Sequence, residues 1–355
     1  MRAFTNILLV FLFTACTSVP DERMTSYVDF PETRELTART LSLDSALFRY
    51  PYRVRVQDDK AVVLDLHGTE YFFHAFHYPG FHYLSSFGKR GDAPEEMLSA
   101  ENLRWNGNFL WTLDSNKSEL TRLGFASSGD SLLRLEAVSL DEELLRALDF
   151  VQYDDSTFII PDYSGDGRFC LVSRQGKLLR KIGTVPTANE DALKSARPAL
   201  AQAWRSFIDY NPRNGVLAAA TQLGEVLEIY NLKDSTHIVR IGPNGEPEFQ
   251  ISQGYGIPIG IMGFSDIQVT DSAIYVVFQG RAFKDIMQKA QQGINLPDGG
   301  QNIYVFSLEG KPLRKYVLDH YIHGISVDEQ KGIIIATDVN KDEPIIEYKL
   351  SLIHI

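Results

Sequence analysis

The chain has 355 residues, 44% hydrophobic and 23% charged, which is the make-up of a folded protein rather than a disordered one. Its 46 acidic residues outnumber 35 basic ones for a net charge of −11, and such a surface repels phosphate backbones, which argues against a nucleic-acid partner. Two cysteines are too few for a cysteine-built zinc site.

In chain order the first feature is an address. Arg2 is the only charge before Asp21, and Ile7 to Phe13 is an unbroken apolar run. That run is too short to cross a bilayer, which takes about 20 residues, but a basic start, an apolar core and small residues are the layout of a secretory signal. Thr14, Ala15 and Cys16 then resemble the bacterial lipoprotein box, with Phe13 where Leu is usual and Leu12 one place earlier. The resemblance implies cleavage of residues 1–15 and acyl chains on Cys16, a membrane anchor made of lipid. An ordinary cleaved signal with an incidental cysteine is the alternative.

Residues 16–40 read as the lipidated cysteine and a tether, with Pro20, Pro31 and several acidic residues and few periodic apolar ones. Acidic residues just after the lipidated cysteine send some Gram-negative lipoproteins to the outer face, which Asp21 and Glu22 suit, and a plain solvated linker is the equal alternative; the expected address is the outer membrane of a Gram-negative bacterium, on its periplasmic or cell-surface face. Cys170, the other cysteine, then has no disulfide partner and is expected to be a buried apolar residue of a strand.

From residue 41 to 355 one unit recurs: an inner strand, a turn carrying Asp or Asn, a second apolar strand, and a hairpin. The second strands begin at Val62, Phe109, Phe158, Val216, Ile274 and Ile333, spaced by 47, 49, 58, 58 and 59 residues. Asp and Asn suit those turns because they tolerate left-handed backbone and bond their own main chain. Six units of four strands predict an all-β protein, a six-bladed β-propeller with small helical insertions. The last unit supplies only three strands, so Leu41–Leu43 is predicted to add the fourth and remove an open edge. A five- or seven-bladed count, or a two-sheet sandwich, is the alternative, but a sandwich does not explain the even spacing. Thr187 and Glu190 have capping-box spacing ahead of a stripe from Leu193 to Phe207 kinked at Pro198; Phe283, Ile286, Met287 and Ala290 form a second stripe and Asp141–Leu148 a third, each expected to cover a sheet edge.

Phe87-Gly88-Lys89-Arg90-Gly91-Asp92-Ala93-Pro94-Glu95-Glu96 resembles the signature of the TolB-like six-bladed propeller lipoproteins, with Ala93 in place of the third glycine. Gly263–Ile267, Ile274–Gly280, Ile303–Phe306 and Ile345–Tyr348 are similar to the same family in order and spacing, over about residues 40–352. The family has no assigned catalytic residues, so the resemblance implies a fold and an envelope address but no chemistry.

Propellers bind ligands where the inner strands open the central channel. Five places before each turn stand Arg53, Glu101, Asp149, Ser206, Asp266 and His323. Arg53, Glu101, Asp149, Asp266 and His323 are therefore the candidate ligand-binding residues, a ring suited to a cation, an amine or a sugar; solvated strand starts are the plainer reading. His74 and His77 point to opposite faces of a strand and cannot share a metal. Trp105, Tyr153 and Tyr210 are expected to pack between blades. No Gly-x-Ser-x-Gly and no phosphate-cradling loop occurs, and Ser164–Gly167 reads as a turn. The expected function is a non-enzymatic, membrane-anchored binding module for a protein, peptide or glycan, without a cofactor. The alternative is a metal-dependent hydrolase or lyase that holds Ca²⁺ at the carboxylates.

Overall fold

In a computed structural model, residues 24–44 and 48–350 are described; Cys16 and the signal-like stretch lie outside them. Six antiparallel sheets follow one another around a central channel, each running outward from its inner strand in chain order, with N-terminal strands added at the outer edges of the last three. The inner strands are Pro51–Gln57, Ala100–Asn106, Val151–Asp154, Ser206–Asn211, Phe264–Val269 and Ile325–Asp328. The second strands are buried beyond their first residue, and Val216–Thr221 and Ala273–Phe278 along their whole length, because neighbouring blades cover both faces. The turn chemistry holds: Asp58, between the first two strands of blade 1, adopts φ 51°. Cys170 is buried in Phe169–Ser173, and the hydrophobic environment pushes its thiol pKa up to about 12.

Blade 6 is closed by the N-terminal chain. Arg39–Thr40 pairs antiparallel with Ile345–Lys349, and Leu41 N–H donates to Ile345 O at 2.9 Å, so the closing strand lies two residues ahead of the predicted Leu41–Leu43.

The tether expectation fails for residues 24–40. Met24–Ser26 adds a parallel fifth strand to the edge of blade 4, and Thr33–Leu36 does the same on blade 5. Between them Tyr27 and Phe30 sink into the groove separating the two blades, where they meet Phe306 at 5.3 and 5.2 Å between ring centroids. Tyr27 Oη donates to Glu225 at 2.7 Å. The segment is polar because one side faces water, yet its two aromatic rings fasten it as a strap across three successive blade edges.

The insertions also differ in detail. Helices Glu190–Ser195 and Arg197–Ala203 meet at a break at Ala196, Pro198 sits in the first turn of the second, and Phe207 belongs to the inner strand of blade 4. Asn189, not Thr187, caps the first helix, accepting from Ala192 N–H at 3.0 Å, while Thr187 bonds Glu246 across the loop. Phe283–Gln291 is helical but buries none of its residues fully, with only Phe283 and Ile286 half-buried. Asp141–Leu148 is a run of turns. Among the described residues no helix is long and apolar enough to cross a membrane.

The signature loop after blade 1 is held by its last glutamate. Glu96 accepts from Lys89 Nζ at 2.7 Å and from Ala93 N–H at 3.3 Å. Gly88 has φ +64°, and a Cβ there would come within 2.7 Å of the Phe73 ring.

Candidate functional site

The inner strands expose one edge to the channel, where backbone N–H groups have no strand neighbour. Buried and unpaired, each would cost free energy. Side chains of the preceding blade take them up. Asp149 accepts from Ile208 N–H at 2.9 Å, Asp209 from Val269 N–H at 2.7 Å, and Asp266 from Ile325 N–H at 2.9 Å. Arginines then cross the channel to neutralise the carboxylates. Arg55 of blade 1 makes a two-pronged pair with Asp266 of blade 5 at 2.8 and 2.9 Å. Arg104 of blade 2 reaches Asp149 at 3.1 Å and Asp209 at 2.7 Å.

This arrangement relocates the predicted ring. Arg53 and Asp266 do come together, at 3.4 Å, but both are buried, and Arg53 is wedged against the ring of Phe207 at 4.4 Å. Asp149 is buried under Arg104 and Asn102. Glu101 stays apart, accepting from Ser99 and Ser115 hydroxyls at 2.9 Å each. His323 alone of the five lines an open cleft. The expected cation site is therefore corrected: Asp149 and Asp266 spend their oxygens on guanidinium and amide donors, and among the described residues no three His, Cys, Asp or Glu side chains converge to hold a metal ion.

The pKa directions follow the same geometry. Burial raises Asp266, but Arg53 and Arg55 outweigh it and hold the carboxyl at about 2. Asp209 is raised, because burial there exceeds the pull of Arg104.

The open cleft, of about 350 Å³, lies where the inner strands begin. His323 Nε2 is 3.2 Å from Asp298 and 3.1 Å from Tyr50 Oη, and Tyr50 also donates to Asp298. The hydrogen bond from His323 holds Asp298 well below the usual carboxylate range; burial, then Asp298 itself, pushes Tyr50 up. Tyr52 and Phe207 add aromatic walls, and Gln202, Gln222 and Gln279 add amides. Arg205 also lines the cleft, and its guanidinium has no hydrogen bond or ion pair among the described residues. Helix Arg197–Ala203 and the hairpin Phe249–Ser252 with Tyr255–Pro258 overhang it, with Gly256 packed against Ala199 O.

Sequence reasoning missed Tyr50, Arg205 and Asp298. Arg205 stands one place before Ser206 of the predicted column, a signal that could have found it; Asp298 comes from an insertion of blade 5 that has no repeat equivalent. The opposite mouth is smaller, about 250 Å³, and the two cations that line it are paired, Arg213 with Asp271 at 2.7 Å and Lys331 with Asp328 at 2.8 Å. Tyr153 and Tyr210 pack on each other across blades 3 and 4 at 5.5 Å, and Trp105 donates to Arg55 O of blade 1 at 3.3 Å.

No curated protein matches the chain in sequence. Among solved structures, a putative exported protein from Bacteroides fragilis superposes with TM-score 0.56 at 10% identity, covering 92% of this chain and 98% of its own. A member of the duf4221 family from Bacteroides vulgatus gives 0.53 at 10% identity, covering 89% and 96%. An auxiliary nutrient binding protein from Bacteroides ovatus gives 0.55 at 9% identity, covering 88% and 76%. At such identities the likeness is one of fold. The model of the family described as TolB-like 6-blade propeller-like matches residues 29–330, taking in the strap strand at Thr33–Leu36, blades 1 to 5 and the inner strand of blade 6, and the chain belongs to that family.

Proposed function

We propose that this protein is a lipid-anchored binding module of the bacterial envelope that takes an acidic glycan at the mouth beside His323. The observation that carries this reading is Arg205, an unpaired cation in a cleft walled by tyrosine and phenylalanine rings and edged by three glutamine amides. Aromatic faces stack on sugar rings, amides bond hydroxyls, and a guanidinium takes a carboxylate in two parallel hydrogen bonds. Asp298 in the same cleft is engaged by His323 and Tyr50, and the channel carboxylates are neutralised by Arg55 and Arg104, which leaves Arg205 as the charge presented to a ligand. The hydrolase or lyase alternative loses the converging carboxylates it needed. Fold relatives described as exported and as nutrient binding support both the address and the class of function.

Calorimetry with uronate-containing and neutral oligosaccharides tests the site. The uronates should bind, and Arg205→Ala should weaken them at least tenfold. Equal binding by the variant would remove the reading. Anchoring is tested separately: wild-type protein should incorporate labelled fatty acid and Cys16→Ala should not.

A further inference from the structure

The fourth strands of three blades present an arginine at the same rung of the ladder. Arg134 pairs with Leu123 in blade 2, Arg180 with Leu171 in blade 3, and Arg314 with Val305 in blade 5. Two have carboxylate partners. Arg134 reaches Glu119 at 2.8 Å and Glu95 at 3.0 Å, and Arg314 reaches Glu32 of the strap at 2.6 Å. Arg180 is exposed and has no hydrogen bond or ion pair among the described residues.

The likeness between blades 3 and 5 goes further. Gly176-Lys177-Leu178-Leu179-Arg180-Lys181 matches Gly310-Lys311-Pro312-Leu313-Arg314-Lys315 at all but one place. On blade 5 this edge carries the strap strand in parallel: Thr33 lies opposite Lys315, and Lys315 N–H donates to Glu32 O at 2.8 Å. Downstream, Leu36 packs against the core shared by blades 5 and 6. Among the described residues the edge of blade 3 carries no fifth strand, and Leu179 on it is 57% exposed. Beside it, between blades 3 and 4, lies an apolar cavity of about 460 Å³ walled by Phe169, Leu171, Leu217, Tyr230 and Leu232, with Arg180 at its lip. The next groove round, between blades 4 and 5, is the one that Tyr27 and Phe30 fill.

We infer that the edge of blade 3 is a docking site for an extended acidic segment of another protein. It adds a parallel strand to Leu178–Ile182, sets a carboxylate on Arg180, and drops a large apolar side chain four residues later into the cavity. The warrant is continuity with the strap's own interface, the same edge sequence, and the unmatched charge of Arg180. On the strap, Glu32 on blade 5 stands six places after Ser26 on blade 4, whereas Asp21 and Glu22 stand only three and two places before Met24, so the carboxylate is assigned to another protein.

The probe is a fluorescent peptide with the sequence of residues 31–38 and Leu36→Phe, titrated into the purified protein and read by anisotropy. Saturable binding is expected, weakened at least tenfold by Arg180→Glu, and partly restored when the peptide also carries Glu32→Lys. Arg180 has no partner to lose, so thermal melts of Arg180→Glu should match the wild type. Leu171→Trp, which fills the cavity, should block binding independently. No saturable binding, or binding indifferent to Arg180→Glu, overturns the inference. So does a concentration-dependent dimer that Arg180→Glu dissolves, because the occupant is then the strap of a second copy. The glycan measurement at Arg205 is independent of every one of these outcomes.

Discussion

The same inner strands serve two regions that treat charge in opposite ways. Deep in the channel, every carboxylate described above meets an arginine from across the axis or an amide from the next blade. At the mouth, a turn of chain away, Arg205 has no hydrogen-bond or ion-pair partner for its guanidinium among the described residues. Burial explains the difference. A charge removed from water must be matched inside the protein, whereas a half-solvated one can wait for a ligand. Charge in the channel therefore belongs to folding, and charge at the mouth is free for recognition.

The largest effect should come from breaking a channel pair. Asp266→Ala leaves Arg53 and Arg55 buried without their carboxylate and exposes Ile325 N–H, at an expected cost of about 3–5 kcal/mol. Denaturant melts measure it, and a loss near zero would dissolve the contrast between channel and mouth. Next is the strap. Phe30→Ala empties the groove between blades 4 and 5 and should cost about 3–5 kcal/mol by the core precedent, toward the lower end because the strap can relax. A truncation to residue 42, which removes three edge strands, should lower the melting temperature well below that of a truncation to residue 24. Equal melting temperatures would mean that the strap merely rests on the surface.

The pH dependence is smaller. Asp266 titrates at about 2 in the fold, below its ordinary value near 3.8. A depressed carboxylate stabilises above its unfolded pKa and loses that contribution as pH falls through the folded one. The window is therefore pH 4 down to 2, with about 2 kcal/mol at stake. Asp266→Asn should flatten the stability profile in that window; an unchanged profile would assign the acid sensitivity to other groups. The smallest effect on stability belongs to Arg205→Ala, within about 0.5 kcal/mol of wild type, because among the described residues the guanidinium has no hydrogen bond or ion pair to lose. If it destabilises by more than 2 kcal/mol, Arg205 is structural and the distinction between the regions collapses.

The second strands were legible because each is an apolar run between Asp or Asn turns, and burial on both faces by neighbouring blades demands such runs. Closure was legible too, within two residues, because blade 6 is one strand short and chain ends rarely leave an edge open. Strap strands Met24–Ser26 and Thr33–Leu36 were not, since parallel edge strands with one solvated side have no apolar periodicity to read. The repeat offset did find real equivalence, for Asp149 and Asp266 each take an N–H from the next blade at the same distance along the chain. It misjudged their role, because spacing gives a position in the repeat but not who comes across the channel to meet it.

By itself, then, the sequence determined what is local or repeated: strands, turns, the number of blades and the polar column of the inner strands. Only the tertiary structure decided which of those polar groups remain available. Arg55 and Asp266 are 211 residues apart in the chain, and it is ring closure that lays one against the other and withdraws both from solvent. Arg205 and Tyr50 come from two different blade junctions and Asp298 from an insertion within blade 5, and they share a cleft only because the blades converge on one axis. A one-dimensional pattern carries the period of a propeller, but the pairing of charges across its centre is a property of the closed ring.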